Sequence, residues 1–234
     1  IGACVGHPMN VCAANSHVYA NLLAWSAITS RLYIWHYSTD FANYLQPLPD
    51  LDEIAGDIPL FLKHGVVGVF YEGDYAQGGG GEMSELKAYL MARLLWNPAA
   101  DAEQIISEFV EGVYGPAAPY IARWLEALRA QVRDTSVRVG IYDPPNAPYL
   151  PDSLLAEGES LFDAAEQAAS HDRTALHQVE RARLALEYVR LMRLSPDSAQ
   201  HKGLARKVAA KIKRYRISQI REGEPVAKFL ARIA

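Results

Sequence analysis

The chain has little positive charge in its first half, little sulfur, and no long uninterrupted apolar run. Residues 1–115 hold 4 Lys and Arg against 13 Asp and Glu, whereas residues 116–234 hold 19 against 14. So acidic a first half does not suit a polyanionic partner. The basic residues of "HKGLARKVAAKIKRYRISQIRE" accompany Leu204, Val208, Ile212 and Tyr215 at helical spacing. They are the wet face of an amphipathic helix, and no nucleic-acid partner is expected. No apolar run approaches the roughly 18 residues of a membrane span, so no membrane partner is expected either. Two cysteines, Cys4 and Cys12, are too few for a disulfide framework. His7 between them and His17 beyond invite a metal reading, but the tight C-x2-C knuckle and a second ligand pair are missing. Two inert buried thiols are the expectation, and no metal or organic cofactor is implied. The glycines Gly78–Gly81 are followed by no Lys-Ser/Thr pair and do not spell G-x-G-x-x-G, which excludes a phosphate cradle. There is no Met start and no basic-then-apolar leader, and the opening "IGACVG" looks internal. The chain is expected to be a fragment or a processed product.

What is present is the profile of a globular protein, half hydrophobic and about a fifth charged over 234 residues. Val18, Leu22, Trp25 and Ile28 form a helical stripe behind Asn15 or Ser16 as cap. "RLYIWHY" (31–37) is short, aromatic and β-branched, a strand. Asp50, with Glu53 three residues on, predicts a helix start, and Gly65 its stop. "VVGVFYE" (66–72) is a second strand, continuous enough in its apolar content to be buried on both faces. A helix from about Met83 to Trp96 follows, ended by Asn97-Pro98. Trp96 and Trp124 lie on helical stripes and are expected in the core. A third strand is expected at "IGACVG".

Helix and strand alternating in units of about 30 residues point to parallel α/β repeats. The expected fold is α/β: the C-terminal portion of a (β/α)8 barrel over residues 1–134, a proline-rich linker over 135–151, and an all-α bundle over 152–234. Three helices are expected in that bundle, over 152–170, 172–194 and 198–222.

In such barrels, catalytic groups stand where strands hand over to loops. Glu72 stands there for one strand, and His36 and Tyr37 for the other, with Asp40 just beyond. Trp35, Tyr37 and Tyr75 supply flat apolar faces that suit sugar rings, while Glu72, Asp74 and Asp40 can hydrogen-bond hydroxyls or move protons. Glycoside hydrolysis uses two carboxyls, which makes Glu72 the candidate catalytic group and the others substrate contacts. Each has a plain structural counterpart: a solvated strand-end glutamate, an Asp40 that only makes a turn, a His36 satisfied in the core.

The runs "WSAITSRLYIWHYSTDFANYLQPLPDL", "HGVVGVFYEGDY", "ELKAYLMARLLWNP" and "FVEGVYGPAAPYI" resemble the C-terminal part of domain of unknown function 4838. That family is similar to glycoside hydrolase family 163, which acts as an endo-β-N-acetylglucosaminidase on complex N-glycans. The likeness runs from about Gly6 to about residue 125. It implies the last strands of a (β/α)8 barrel, a carbohydrate substrate, further catalytic residues upstream of Ile1, and a secreted or periplasmic bacterial setting. Glu72 of "FYEG" falls where the family carries a strand-end polar residue before glycine. "IWHYSTDF" resembles a pattern that usually reads Trp-Asp-Tyr, with His36 in the acid's place. The resemblance therefore implies a piece of a glycoside hydrolase for a β-linked N-acetylglucosamine-containing or related glycan. The alternative is a non-catalytic glycan-binding or structural module. An isolated piece is expected to be inactive, and its unpaired sheet edges offer a route to self-association.

Overall fold

The computed structural model describes residues 4–75, 80–134 and 136–234. Asn15 precedes helix α1 (Ser16–Ser26), and the aromatic run after it forms strand β1 (Leu32–Tyr37). Helix α2 (Leu51–Lys63) stops where Gly65 takes φ +75, a left-handed conformation that favours glycine. Strand β2 (Val66–Glu72) returns beside β1, and the two pair in parallel with Tyr33 opposite Gly68, Trp35 opposite Phe70 and Tyr37 opposite Glu72. β1, α2 and β2 thus make one βαβ unit.

The chain does not continue that unit into a barrel, which corrects the (β/α)8 expectation. The described residues hold two two-stranded sheets: β1–β2, and a hairpin of β3 (Gln219–Arg221) and β4 (Glu224–Pro225). Closing a barrel takes eight parallel strands. Among the described residues, neither outer edge of β1–β2 has a partner strand. Residues 4–6, where a third strand was expected, run as a loop in which Val5 donates its amide to Val139 O instead; Ile1, Gly2 and Ala3 lie outside the described residues. Nor is β2 buried on both faces, because Val67 and Phe70 are exposed.

The rest of the chain is mainly helical: α3 (Ser84–Trp96), α4 (Ala102–Tyr114), α5 (Ala118–Ala130), α6 (Asp152–Ala168), α7 (Arg173–Arg193), α8 (Ala199–Arg214) and α9 (Val226–Ile233). Asp101, Asp172 and Ser198 cap α4, α7 and α8 by accepting backbone amides, as short polar side chains do at helix starts. α3 buries Leu86, Leu90 and Leu94, a strict four-residue stripe. Trp96 falls off that stripe and is 91% exposed, against the core expectation. Trp124 is buried, its ring against Gly158 of α6, where a Cβ would stand 2.7 Å from it. The last helix was expected to run to residue 222. It ends at Arg214, because Arg216 adopts φ +54 and the chain turns into the hairpin.

One hydrophobic cluster runs from Cys4 and Val5 through Ile54, Trp124, Tyr149 and Val189 to Ile233. Residues of the proline-rich stretch, Ala147, Tyr149 and Leu150, belong to it.

Candidate functional site

Side chains alternate across β1, so its odd and even positions serve different surroundings. Tyr33, Trp35 and Tyr37 share one face with Gly68, Phe70 and Glu72 of β2. Tyr33 lies over Gly68, whose missing Cβ would sit 2.6 Å from the ring. Trp35 meets Phe70 edge-on at 5.0 Å between ring centres. The Trp35 indole N–H donates to Glu72 Oε2 at 2.7 Å. Trp35 is 63% exposed, and Tyr33 and Phe70 are exposed beside it. Trp35 and Tyr33 also wall a groove of about 420 Å³ between β1 and α1, with His17, Asn21 and Trp25 on the helix side. That volume is within the range of small-molecule clefts, and its walls are mainly apolar, aliphatic as well as aromatic, with His17, Asn21 and His36 as polar groups.

At the strand ends the loop from Ser38 onward is stitched to the C-terminal part of the chain. Phe41 N donates to Ile141 O, Glu222 N to Phe41 O, and Tyr44 N to Ile220 O. Tyr37 packs on Phe41, Phe41 on Tyr142, and Tyr44 on Tyr75. The Tyr75 hydroxyl accepts from Gly223 N at 2.9 Å. Burial and the Glu222 carboxylate push the Tyr142 phenol up, with Tyr37 and Glu72 adding to the effect. Glu222, Tyr142 and Glu72 therefore share one rim. A second recess of about 420 Å³ lies between the end of β2 and α3, lined by Ser38, Thr39, Gly73, Asp74, Ser84 and Lys87. The Asp74 carboxylate lies against Gly81, where a Cβ would clash at 2.0 Å. Gly78 and Gly79 of the glycine run lie outside the described residues.

His36 belongs to the opposite face. It is 4% exposed, stacks on Tyr71 at 5.2 Å, and pairs with Glu53 and, at 3.5 Å, with Asp57 of α2. Burial alone would lower its imidazole, but the two carboxylates reverse this and hold it up at about 10. Burial pushes Glu53 up to about 8, opposed by His36. His36 Nδ1 accepts from Tyr37 N at 2.8 Å, so Nε2 is the nitrogen turned to the two carboxyls, and this pairing limits the penalty of burying them. Next to it, Lys87 of α3 reaches Asp50 at 3.1 Å and Glu82 at 3.2 Å. Asp50 and Glu53, expected as helix-capping groups, are thus spent on Lys87 and His36, and Asp50 makes no side-chain cap bond.

Asp40 is buried too. Its Oδ1 accepts from Ala42 N at 2.9 Å and Asn43 N at 3.0 Å, the geometry of a turn-forming aspartate. Burial pushes its carboxyl up to about 7, with Asp143 adding to the rise against the two amides.

Of the expected site residues, the fold gathers Trp35, Tyr37 and Glu72 on one open face, and Asp74 and Tyr75 at the adjoining rim. It turns His36 to the helix side of the sheet and Asp40 into its own turn. Sequence reasoning did not assign site roles to His17, Asn21, Trp25, Tyr142 or Glu222. Trp25 carried a signal, since a tryptophan on a short helix that leaves it 58% exposed has no core to serve. Tyr142 and Glu222 carried none, because they reach the rim from 70 or more positions beyond β2.

The chain belongs to the family described as Domain of unknown function (DUF4838), whose profile matches residues 1–126. This agrees with the resemblance drawn from the sequence. No curated protein and no solved structure matches the chain.

Proposed function

We propose that this chain contributes a carbohydrate-binding face to a glycoside hydrolase, with Glu72 as its acid/base carboxylate. The observation that carries the reading is Trp35. Its ring walls the groove beside α1 while its N–H fixes Glu72 Oε2 at 2.7 Å. An indole N–H only donates, so it holds one carboxylate oxygen and leaves the other to meet a ligand. A sugar stacked on Trp35 would bring its hydroxyls or its glycosidic oxygen to that free oxygen. Glu222 and Asp74 are the further acids of the rim from which a second carboxyl could come, as hydrolysis requires. The family resemblance favours a β-linked N-acetylglucosamine-containing glycan as substrate.

The test is calorimetry of the chain with β-linked N-acetylglucosamine oligomers, together with a reducing-end assay of the full-length protein that carries it. Trp35→Ala is expected to weaken binding by about tenfold, the loss of roughly 1.4 kcal/mol of stacking and Glu72 positioning. Glu72→Gln is expected to leave binding within a few-fold and to abolish turnover. Binding unaltered in Trp35→Ala refutes the face as a sugar site. Unaltered turnover in Glu72→Gln removes Glu72 from the chemistry. Binding with no turnover in the full-length protein that carries this chain favours the second reading, a glycan-binding module.

A further inference from the structure

Cys4, His7 and Cys12 lie on one loop, and the fold closes that loop around three donor atoms. All three residues are buried, and their sulfur and ring-nitrogen atoms lie within 4.8 Å of one another. Cys4 Sγ stands 3.1 Å from His7 Nδ1. On the far side of the ring, His7 Nε2 is 2.5 Å from the carbonyl oxygen of Val132. A carbonyl only accepts, so Nε2 carries the proton and Nδ1 can turn a bare lone pair toward the sulfur. A metal-binding histidine is held in this manner, one nitrogen facing the ion and the other donated to a backbone carbonyl. The sulfur is held in place as well, since the Val139 amide donates to Cys4 Sγ at 3.4 Å. Buried Asn15 fixes the Cys4 backbone from both sides, accepting from its N at 3.0 Å and donating to its O at 2.8 Å.

We propose that Cys4, His7 and Cys12 bind one thiophilic d10 cation, Zn²⁺ or Cu⁺, which ties the loop 4–12 to the segment 132–139. Two thiolates and an imidazole are the donors that soft metals select. Zinc bonds of about 2.3 Å to sulfur and 2.0 Å to nitrogen put those atoms roughly 3.5 Å apart at the tetrahedral angle. The Cys4–His7 pair, at 3.1 Å, therefore has to open by only a few tenths of an ångström. With Zn²⁺ and two thiolates the unit is neutral, which suits its apolar enclosure. The spacing alone did not show this, because the supporting carbonyl lies 125 positions away in sequence. His36, Glu53 and Asp57, the other buried group of three donors, differ: there the histidine directs its own proton at the carboxylates.

The test refolds the full chain from urea under reducing conditions, with Zn²⁺, with Cu⁺ held by a competing chelator, or without metal. Retained metal is measured after desalting, and Co²⁺ serves as a spectroscopic probe. The expected result is one ion per chain, a thiolate-to-cobalt charge-transfer band, and a raised Tm in the loaded protein; the Zn²⁺ and Cu⁺ arms show which ion is held. Cys12→Ser and His7→Gln are expected to lower retention by about tenfold or more. Retention below about a tenth of an ion per chain in both arms overturns the proposal, as does a cobalt spectrum without the thiolate band. So does undiminished retention in Cys12→Ser. Because the parent chain alone gives the stoichiometry and the spectrum, the outcome is decisive even if a variant fails to fold.

Discussion

Replacing Asp40 by Asn should stabilise the protein by a margin that is already present at pH 5 and grows further by pH 8. Asp40 is almost fully buried, and burial lifts its carboxyl from 3.8 to about 7. Between those values the folded chain keeps a proton that the unfolded chain has already released. Stability from this group is therefore greatest at low pH, declines as pH rises, and levels off above about 7. From pH 5 to 7 the difference spans about two pH units, or at most about 3 kcal/mol at 1.36 kcal/mol per unit. Relaxation around the charge reduces this, so about 2 kcal/mol is a fair expectation. An asparagine oxygen can still accept the amides of Ala42 and Asn43, which keeps the turn. The assay is urea unfolding of parent and variant at pH 5, 6, 7 and 8, followed by far-UV circular dichroism. Subtracting one series from the other cancels the shared contributions of Glu53, Asp50 and Glu82. Two parallel stability curves would refute the reasoning, because Asp40 would then titrate alike in the folded and unfolded chains.

Lys87→Met should cost about 3–5 kcal/mol at neutral pH, since it leaves Asp50 and Glu82 buried without their cation. The deficit should shrink toward pH 4 as those carboxyls take up protons, and a pH-independent loss in chemical denaturation would contradict it. Gly158→Ala should destabilise by about 1–3 kcal/mol, because the new methyl meets the buried Trp124 ring at 2.7 Å. Gly68→Ala meets an equally close ring, but Tyr33 is exposed and can swing away. Its Tm should hardly move while glycan binding at the sheet face falls, and calorimetry of both variants checks the contrast. Asp172→Ala should cost about 1 kcal/mol, the value of a helix cap, because its carboxylate accepts from Thr174 N and Ala175 N. A Tm equal to the parent's would show α7 indifferent to its cap.

Local structure was legible in the sequence, and its continuation was not. The spans of β1, α2 and β2, the stop at Gly65 and the burial of Trp124 follow from periodicity and side-chain type. Closure into a barrel does not, because it needs a third strand to add to β1 or β2, and the described residues provide none. The exposed Trp96 shows a similar limit: a helical stripe predicts which side faces inward only when the neighbouring helices are known. Period-two alternation could have separated His36 from Trp35 and Tyr37 before any coordinates were at hand. His36 nevertheless lines the groove that Trp35 and Tyr33 wall, reaching it from the helix-facing side. Asp50 and Glu53 carried the spacing of a capping box and the chemistry of an ion pair at once. Burial decides between these, and burial is a tertiary fact.

The two faces of β1–β2 place opposite demands on one short sheet. Its open face carries aromatics with a carboxylate held by one indole N–H, a surface that offers adjustable hydrogen bonding but little cohesion. A two-stranded sheet alone is marginal in water, so the register that sets Trp35 beside Glu72 must be enforced from behind. The helix-facing side supplies that constraint. His36 and Tyr71, adjacent in register and stacked, lie against Phe61 and the acids of α2. A one-residue slip would move the His36 ring to the open face and put Trp35 or Tyr37 against Glu53 and Asp57. That exchange leaves the buried Glu53 and Asp57 without their hydrogen-bond donor, a penalty of several kcal/mol that no contact on the open face is large enough to offset. The buried contacts of His36 with Glu53 and Asp57 thus act on the site by excluding the alternative register, which is why a histidine on the helix-facing side can determine where Glu72 points.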